Sequence, residues 1–243
     1  MSFAPATITA VRQETPGART LTLAVDNWPG HRAGQHVDVR LTAEDGYTAV
    51  RSYSIASSAA SGSLEITVDR LVDGEVSPYL VDIAEVGDRV EVRGPAGGWF
   101  IWRGDDESPI QLIGGGSGVV PLMSMIRTHG DAESAAPFRL LYSMRSPASA
   151  LYYSELADRA ASDHDLTIDY VFSRETPRGW PREPARLDRA ALEASVFEPA
   201  VQATFFVCGS TPFVETVADW LVDAGHAPEK IRTERFGGTG VTQ

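Results

Sequence analysis

Apolar and polar residues alternate through most of the first hundred positions. Leu21, Leu23 and Val25 alternate, as do Val37, Val39 and Leu41, then Leu64, Ile66 and Val68, then Val90 and Val92. A period of two marks half-buried strands, because successive side chains point to opposite faces. Turn-rich pieces separate the runs: Asn27-Trp28-Pro29-Gly30, Glu44-Asp45-Gly46 and Ser61-Gly62-Ser63. Short strands at this spacing predict an antiparallel sandwich or barrel over residues 7–100. One helix is predicted to interrupt it. Ser77-Pro78 supplies a favoured N-cap and first helical residue, and Tyr79, Leu80, Val81 and Ile83 follow.

The polar stretch Arg103-Gly104-Asp105-Asp106-Glu107-Ser108 ends this pattern. It divides the chain into an expected first domain, 1–104, and a second, 105–243. After it, Ile110-Gln111-Leu112-Ile113 forms a short apolar run that enters the cluster Gly114-Gly115-Gly116-Ser117-Gly118-Val119-Val120-Pro121. Leu122, Met125 and Ile126 then recur at helical spacing. Strands are predicted at 138–142, 166–172, 204–207 and 231–236, with helices near 151–160, 187–194 and 212–224. Strands alternating with helices predict a doubly wound parallel sheet.

Composition narrows the chemistry. The chain has 243 residues, 43% of them hydrophobic, which suits two modest domains with real cores. A formal charge of −12 argues against nonspecific nucleic-acid binding. No apolar run approaches the length of a membrane span, and the N-terminus shows no secretory signal. A lone Cys208 leaves no internal disulfide, which fits the cytoplasm, and no four-cysteine iron–sulfur cluster within this sequence. Five histidines lack metal-ligand spacing, so no metal is assigned.

The stretch Arg51-Ser52-Tyr53-Ser54-Ile55-Ala56-Ser57-Ser58 stands out chemically. Arg51 offers a planar fork of donors suited to a phosphate, Tyr53 an aromatic face, and Ser54 a small hydroxyl beside it. On a strand, Arg51 and Tyr53 share one side. The plainer alternative is an arginine on a sheet edge and a tyrosine in a barrel core. Gly74, just before Ser77-Pro78, lets backbone approach a ligand, and a helix start after a glycine turn is an anion site. The alternative there is an ordinary capped helix. Gly94-Pro95-Ala96-Gly97-Gly98-Trp99-Phe100 is either a tight loop under a flat ring or a hairpin turn. The glycine cluster, of form Gly116-x-Gly118-x-x-Pro121, lies where a dinucleotide pyrophosphate rests on helix N–H groups. A second strand-to-helix junction, Val207-Cys208-Gly209-Ser210-Thr211-Pro212, repeats the logic. Cys208 is either a packed core thiol or a site residue, and Trp180 either borders a nucleotide or caps the sheet.

Taken in order, Arg51-x-Tyr53-Ser54, Gly74-x-x-Ser77, Gly94-Pro95-x-Gly97, Gly114–Pro121, Cys208-Gly209 and Glu234-Arg235-Phe236 resemble the ferredoxin–NADP reductase family of flavoproteins. The resemblance implies an antiparallel Greek-key β-barrel that binds FAD, followed by a nicotinamide-nucleotide domain. It implies that Arg51 binds the flavin phosphates, with Ser52 beside it, that Tyr53 lies against the isoalloxazine, and that Ser54 sits near flavin N5. Gly74, Val76 and Ser77 would hold the pyrophosphate, and Val68 and Arg70 would line the flavin's edge. Gly114, Gly116, Gly118 and Pro121 would face the nicotinamide cofactor's pyrophosphate. Cys208 and Gly209 would approach the nicotinamide. Glu234 matches a carboxylate near the active centre. Phe236 matches an aromatic that covers the flavin in some members, with the tail Gly237–Gln243 beyond it.

The resemblance also bears on the nucleotide. No carboxylate closes strand 138–142, which runs into Ser143-Met144-Arg145-Ser146. Strand 166–172 runs into Ser173-Arg174-Glu175. In the family, a Ser-Arg pair at this third strand end goes with NADPH, and an acidic residue at the first position goes with NADH. Ser173 and Arg174, with Arg145 assisting, therefore point to NADPH over NADH. The expected function is electron transfer from NADPH through FAD to a separate acceptor, a ferredoxin or another redox protein. The alternatives are a noncatalytic flavin-binding electron-transfer subunit, and a siderophore-iron or free-flavin reductase. For an acidic ferredoxin to meet so acidic a chain, Arg51, Arg70, Arg89 and Arg93 would have to form a local basic patch.

Overall fold

The structure is a computed structural model and describes residues 2–236. It forms two compact units. One comprises the residues up to Asp106 together with Met123–Ser134; the other comprises Glu107–Leu122 and the residues from Ala135 onward.

The first unit carries six strands: β1 (Ala4–Thr15), β2 (Ala18–Val25), β3 (His36–Thr42), β4 (Thr48–Ser54), β5 (Leu64–Asp69) and β6 (Arg89–Ala96). They lie in the order β4-β3-β6-β1-β2-β5, every pair antiparallel. The two ends of that order meet where Ile55 bridges Ile66 and the Ala56 N–H donates to the Glu65 carbonyl at 2.7 Å. This contact closes the sheet on itself. The alternating residues of the sequence are its lining: Leu21, Val37, Val39, Leu64, Ile66 and Val68 are all fully buried. An open sheet would leave such a face half in water; closure removes that cost.

The helix expected at Ser77-Pro78 is short: Ser77 and Pro78 are helical, and a five-residue π-helical turn, Tyr79–Ile83, follows and drops Leu80 and Val81 into the barrel core. Ser77 does not cap it. Its hydroxyl accepts instead from the Leu71 N–H at 3.0 Å, closing the 71–77 loop.

The second unit is a parallel sheet of β7 (Ile110–Gly115), β8 (Phe138–Met144), β9 (Leu166–Phe172), β10 (Thr204–Ser210) and β11 (Ile231–Phe236), ordered β11-β10-β7-β8-β9. Of the helices, α1 (Val119–Asp131) begins in this unit and belongs to the first from Met123 onward, while α2 (Tyr153–Ser162), α3 (Arg189–Ser195) and α4 (Thr211–Asp223) lie in this unit. The Asp188 carboxylate caps α3 by accepting from the Ala191 N–H at 2.8 Å. The chain winds from β7 out to β9, then returns to β10 on the other side of β7. The strand order therefore reverses between β7 and β10, where open α/β sheets bind their ligands beyond the strands' carboxyl ends. Pro121 is the third residue of α1, within the first turn, where its missing N–H removes no intrahelical bond. Among the described residues no helix is long and apolar enough to cross a membrane.

Candidate functional site

In the first unit the β3–β4 register places Arg51 opposite Val39 and Tyr53 opposite Val37. Residues opposed across an antiparallel pair share a face, so Arg51 and Tyr53 lie on the side of the barrel lining. Tyr53 packs against that core, and burial pushes its phenol up to about 12 although the Arg51 charge works the other way. Arg51 lies beyond the buried zone, half-exposed. Its Nη1 donates to the Val50 carbonyl at 2.7 Å and its Nη2 to a Glu75 oxygen at 2.5 Å. Next to Tyr53, Ser54 is buried, and its hydroxyl has no hydrogen-bond partner among the described residues. Ser52, on the opposite face, donates to Asp38 at 2.6 Å.

The 74–77 loop is built for close approach. A Cβ on Gly74 would stand 2.7 Å from the Ser77 hydroxyl and 3.1 Å from Leu71, so no side chain fits there. Val76 and Val68 are buried beneath the loop and in β5 respectively, and both belong to the barrel core. A fixed guanidinium, a glycine cradle and a buried hydroxyl lacking a partner fit the phosphates and polar ring edge of a flavin dinucleotide.

The arginines expected to form a basic patch do not form a free one. Arg51 is paired with Glu75, Arg70 with Asp82 and Arg93 with Asp38, which leaves Arg89 exposed and without a carboxylate partner among the described residues. Each carboxylate cancels most of its partner's field at a distance, so little positive charge is left to steer an acidic acceptor. Glu75 was not legible as a site residue in the sequence. Its own position between Gly74 and Ser77 was the available signal; its second partner, the Tyr47 hydroxyl at 2.7 Å, comes from a separate turn. The Tyr47 and Arg51 hydrogen bonds hold the Glu75 carboxyl below its ordinary range, so it is ionised at neutral pH.

In the second unit the glycines bring the ends of β7 and β10 together. A Cβ on Gly118 would stand 2.1 Å from the Cys208 carbonyl oxygen and 2.7 Å from the Gly209 nitrogen. Gly115 and Gly209 both press on the Phe213 ring, where a Cβ would meet it at 2.8 Å. A Cβ on Gly114 would meet the Val119 backbone at 3.3 Å. Gly116 differs: it is left-handed at φ +56° and faces open space.

Cys208 is fully buried, with Gly114 beside it in register on one side and Glu234 on the other. Burial first, and the Glu234 charge second, push its thiol well up, so it is a neutral thiol at physiological pH. Burial also raises the Glu234 carboxyl to about 7, and its Oε2 is buried without a partner among the described residues. This has a consequence for stability. The folded state holds the Glu234 proton more tightly than the unfolded chain, whose carboxyl titrates at 4.5. The contribution is therefore intact below pH 4.5 and is lost as pH rises through about 7. Glu234→Gln is expected to melt close to wild type at pH 5 and above it at pH 8, the difference reaching about 2–3 kcal/mol. A gap that does not widen between those pH values contradicts it. Phe236 is the last described residue and pairs with Ser210 in β11; the tail Gly237–Gln243 lies outside the described residues.

The ends of β8 and β9 are laced together. The Ser173 N–H donates to the Met144 carbonyl at 2.8 Å and the Arg174 N–H to the Arg145 carbonyl at 2.9 Å. This brings Arg145, Ser173 and Arg174 side by side. Neither guanidinium has a carboxylate partner among the described residues, and Glu175 does not pair with Arg174. Trp180 sits edge-on against Phe172, ring centroids 5.1 Å apart, and helps line a cavity of about 340 Å³ that Arg182 and Arg186 also border. Those two arginines were not singled out from the sequence, where nothing distinguishes them from other loop arginines.

Comparison with known proteins agrees with the two-unit architecture. The oxidoreductase FAD-binding domain family matches residues 6–101, and the oxidoreductase NAD-binding domain family matches residues 112–219. The glycine betaine monooxygenase reductase subunit of Chromohalobacter salexigens is 32% identical over 94% of this chain and 63% of its own length. An Amycolatopsis cytochrome P450 reductase superposes with a TM-score of 0.83 at 27% identity, over 97% of this chain and 70% of that one. The flavohem-like FAD/NAD-binding domain of a Vibrio cholerae nitric oxide dioxygenase gives a TM-score of 0.85 at 22% identity, covering 97% and 99%, a likeness of fold. The chain belongs to the ferredoxin–NADP reductase-like family of flavoprotein reductases. It spans 63% of the length of the first curated relatives it matches.

Proposed function

We propose that the protein takes electrons from NADPH, holds them on FAD, and delivers them to a redox-protein acceptor such as a ferredoxin. The observation that carries this reading is the trio Arg51, Tyr53 and Ser54: a half-exposed guanidinium, a tyrosine face on the barrel lining and a buried hydroxyl that lacks a partner. Arg51 would hold the flavin phosphates with Gly74, Val76 and Ser77 against the pyrophosphate. Tyr53 would support the ring, Ser54 would donate at its polar edge near N5, and Val68 and Arg70 would border it. FAD supplies the two-electron acceptance and stepwise release of the reaction.

Gly114, Gly116, Gly118 and Pro121 would receive the dinucleotide's pyrophosphate at the β7 end, with Gly116 offering the open backbone. Cys208, Gly209, Glu234 and Phe236 are proposed for the nicotinamide end. There Cys208 acts as a neutral packing thiol, and Glu234, near neutrality in pKa, can hold a proton at its carboxyl. The reductase names of the relatives support an acceptor that is itself a redox protein of an oxygenase system. We place the protein in the cytoplasm, a reading supported by the single Cys208. The test is anaerobic: NADPH should bleach the yellow flavin within seconds, and persistent colour overturns the reading.

The preference for NADPH rests on Arg145, Ser173 and Arg174. A 2′-phosphate there would take two parallel bonds from a guanidinium that spends none on a carboxylate. Arg174→Ala is expected to lower kcat/KM for NADPH by about tenfold to a hundredfold, with ferricyanide as acceptor, and to leave NADH nearly unchanged. Wild-type preference for NADH, or equal loss for both nucleotides, removes Ser173 and Arg174 from the site.

A further inference from the structure

The guanidinium proposed to hold the flavin phosphates already holds an anion that belongs to the chain. Glu75 gives one carboxylate oxygen to Arg51 Nη2 and the other to the Tyr47 hydroxyl, so both oxygens are engaged and the carboxylate stands in one place. All three side chains are about half-exposed, and Glu75 itself lies in the loop that carries Gly74 and Ser77. An arginine at a phosphate site normally presents a full positive charge. Here the pair Arg51–Glu75 is close to neutral as a unit, while the guanidinium keeps N–H donors beyond the two it has spent.

The two common flavin cofactors differ in what they bring to such a place. FMN ends in a phosphate monoester, which carries about −1.5 to −2 at neutral pH. FAD brings a pyrophosphate, two anhydride-linked phosphates of one charge each, with no monoester dianion. A fixed carboxylate beside the site repels up to two charges on one phosphate more strongly than two charges spread over a pyrophosphate, whose second phosphate lies farther away. We propose that Glu75 is a specificity-determining residue that sets the flavin site against the phosphate monoester of FMN and in favour of FAD, by keeping a negative charge on the Arg51 guanidinium. The proposal rests on the reading that flavin phosphates bind at Arg51. It assigns to Glu75 a cost: both flavins bind less tightly than Arg51 alone would allow, FMN more so.

The test uses the full chain stripped of flavin and titrated with FMN and with FAD, following quenching of flavin fluorescence. Glu75→Gln removes the charge and keeps one acceptor oxygen, which can take the Arg51 N–H while the amide N–H donates to the Tyr47 hydroxyl oxygen, at an exposed position where folding is little affected. It is expected to tighten FMN by about threefold to tenfold, the effect of one unit charge at a solvated site, and FAD by less. The Kd ratio of FMN to FAD falls accordingly, and the difference shrinks at 0.5 M salt. An unchanged ratio, weaker binding of both flavins, or FMN binding still too weak to measure in Glu75→Gln overturns the proposal. Arg51→Ala separates this failure from that of the underlying reading. If Arg51→Ala weakens both flavins and Glu75→Gln changes nothing, only the role of Glu75 falls. If Arg51→Ala also leaves both unchanged, the flavin phosphates do not bind there.

Discussion

Arg51→Ala is expected to yield a protein that folds but loses its flavin. A charge-assisted bond to phosphate contributes about 1.5–3 kcal/mol, so removing one weakens FAD by about tenfold to a hundredfold, and a second bond from the same fork adds to that. The cost to the fold is small. Apart from its bond to the Val50 carbonyl, Arg51 engages only Glu75 among the described residues, in an exposed pair whose contribution lies within about 1 kcal/mol. The two readouts therefore separate: flavin absorbance retained after desalting should collapse, while the melting temperature of the flavin-free protein should move little. A variant that keeps full occupancy through desalting removes Arg51 from the flavin site. A variant that loses flavin only because it melts early turns Arg51 into a structural residue.

Gly118→Ala is expected to be among the most damaging single methyls that the described residues can take. The added Cβ would stand 2.1 Å from the Cys208 carbonyl oxygen and 2.7 Å from the Gly209 nitrogen. Both are backbone atoms of β10 and cannot rotate aside, so the strand end or the turn must move. Overpacking of this kind costs about 3 kcal/mol or more, a fall of about 10 °C in melting temperature for a chain of this size. Gly116→Ala is the control. Gly116 is left-handed but faces open space, so its cost is backbone strain alone, about 1–2 kcal/mol. Both variants should retain flavin, since the residues proposed to hold it lie in the other unit. Both should be reduced more slowly by NADPH. A Gly118→Ala protein melting within 2 °C of wild type, or above Gly116→Ala, contradicts the close-approach account.

Much of the architecture was legible because its physical cause is local. Burial with a period of two marked β2, β3, β5 and β6, and the strand–helix alternation after residue 108 marked the parallel sheet and α1 to α4 within a few residues. Failures arose where a non-local partner decides. Ser77-Pro78 has the local chemistry of a helix start and the helix begins there, yet the Ser77 hydroxyl accepts from the Leu71 N–H instead of capping it, and with Leu80 and Val81 in the core the helix ends at Ile83. Arg51, Arg70 and Arg93 read as a positive cluster because a sequence shows charges without their partners. Glu75, Asp82 and Asp38, which neutralise them, come from 24, 12 and 55 positions away.

The sequence by itself determined which residues are apolar at strand and helix spacing, hence the two kinds of sheet, and where glycine leaves backbone bare. It also carried the types of donor in the order that marks the family: a guanidinium, a tyrosine and a serine at 51–54, and glycines at both strand-to-helix junctions of the second unit. Only the tertiary structure decided the state of those groups. Closure of the barrel buried Ser54 and left its hydroxyl without a partner. Parallel pairing of β10 with β11 set Glu234 beside Cys208, where burial lifts the carboxyl to about 7. The Tyr47 turn and the 74–77 loop converged on Arg51 and gave it an anion of its own. The physical reason is the same in each case: charge, protonation and hydrogen bonding depend on what surrounds a group in space, and burial and long-range pairing supply those surroundings.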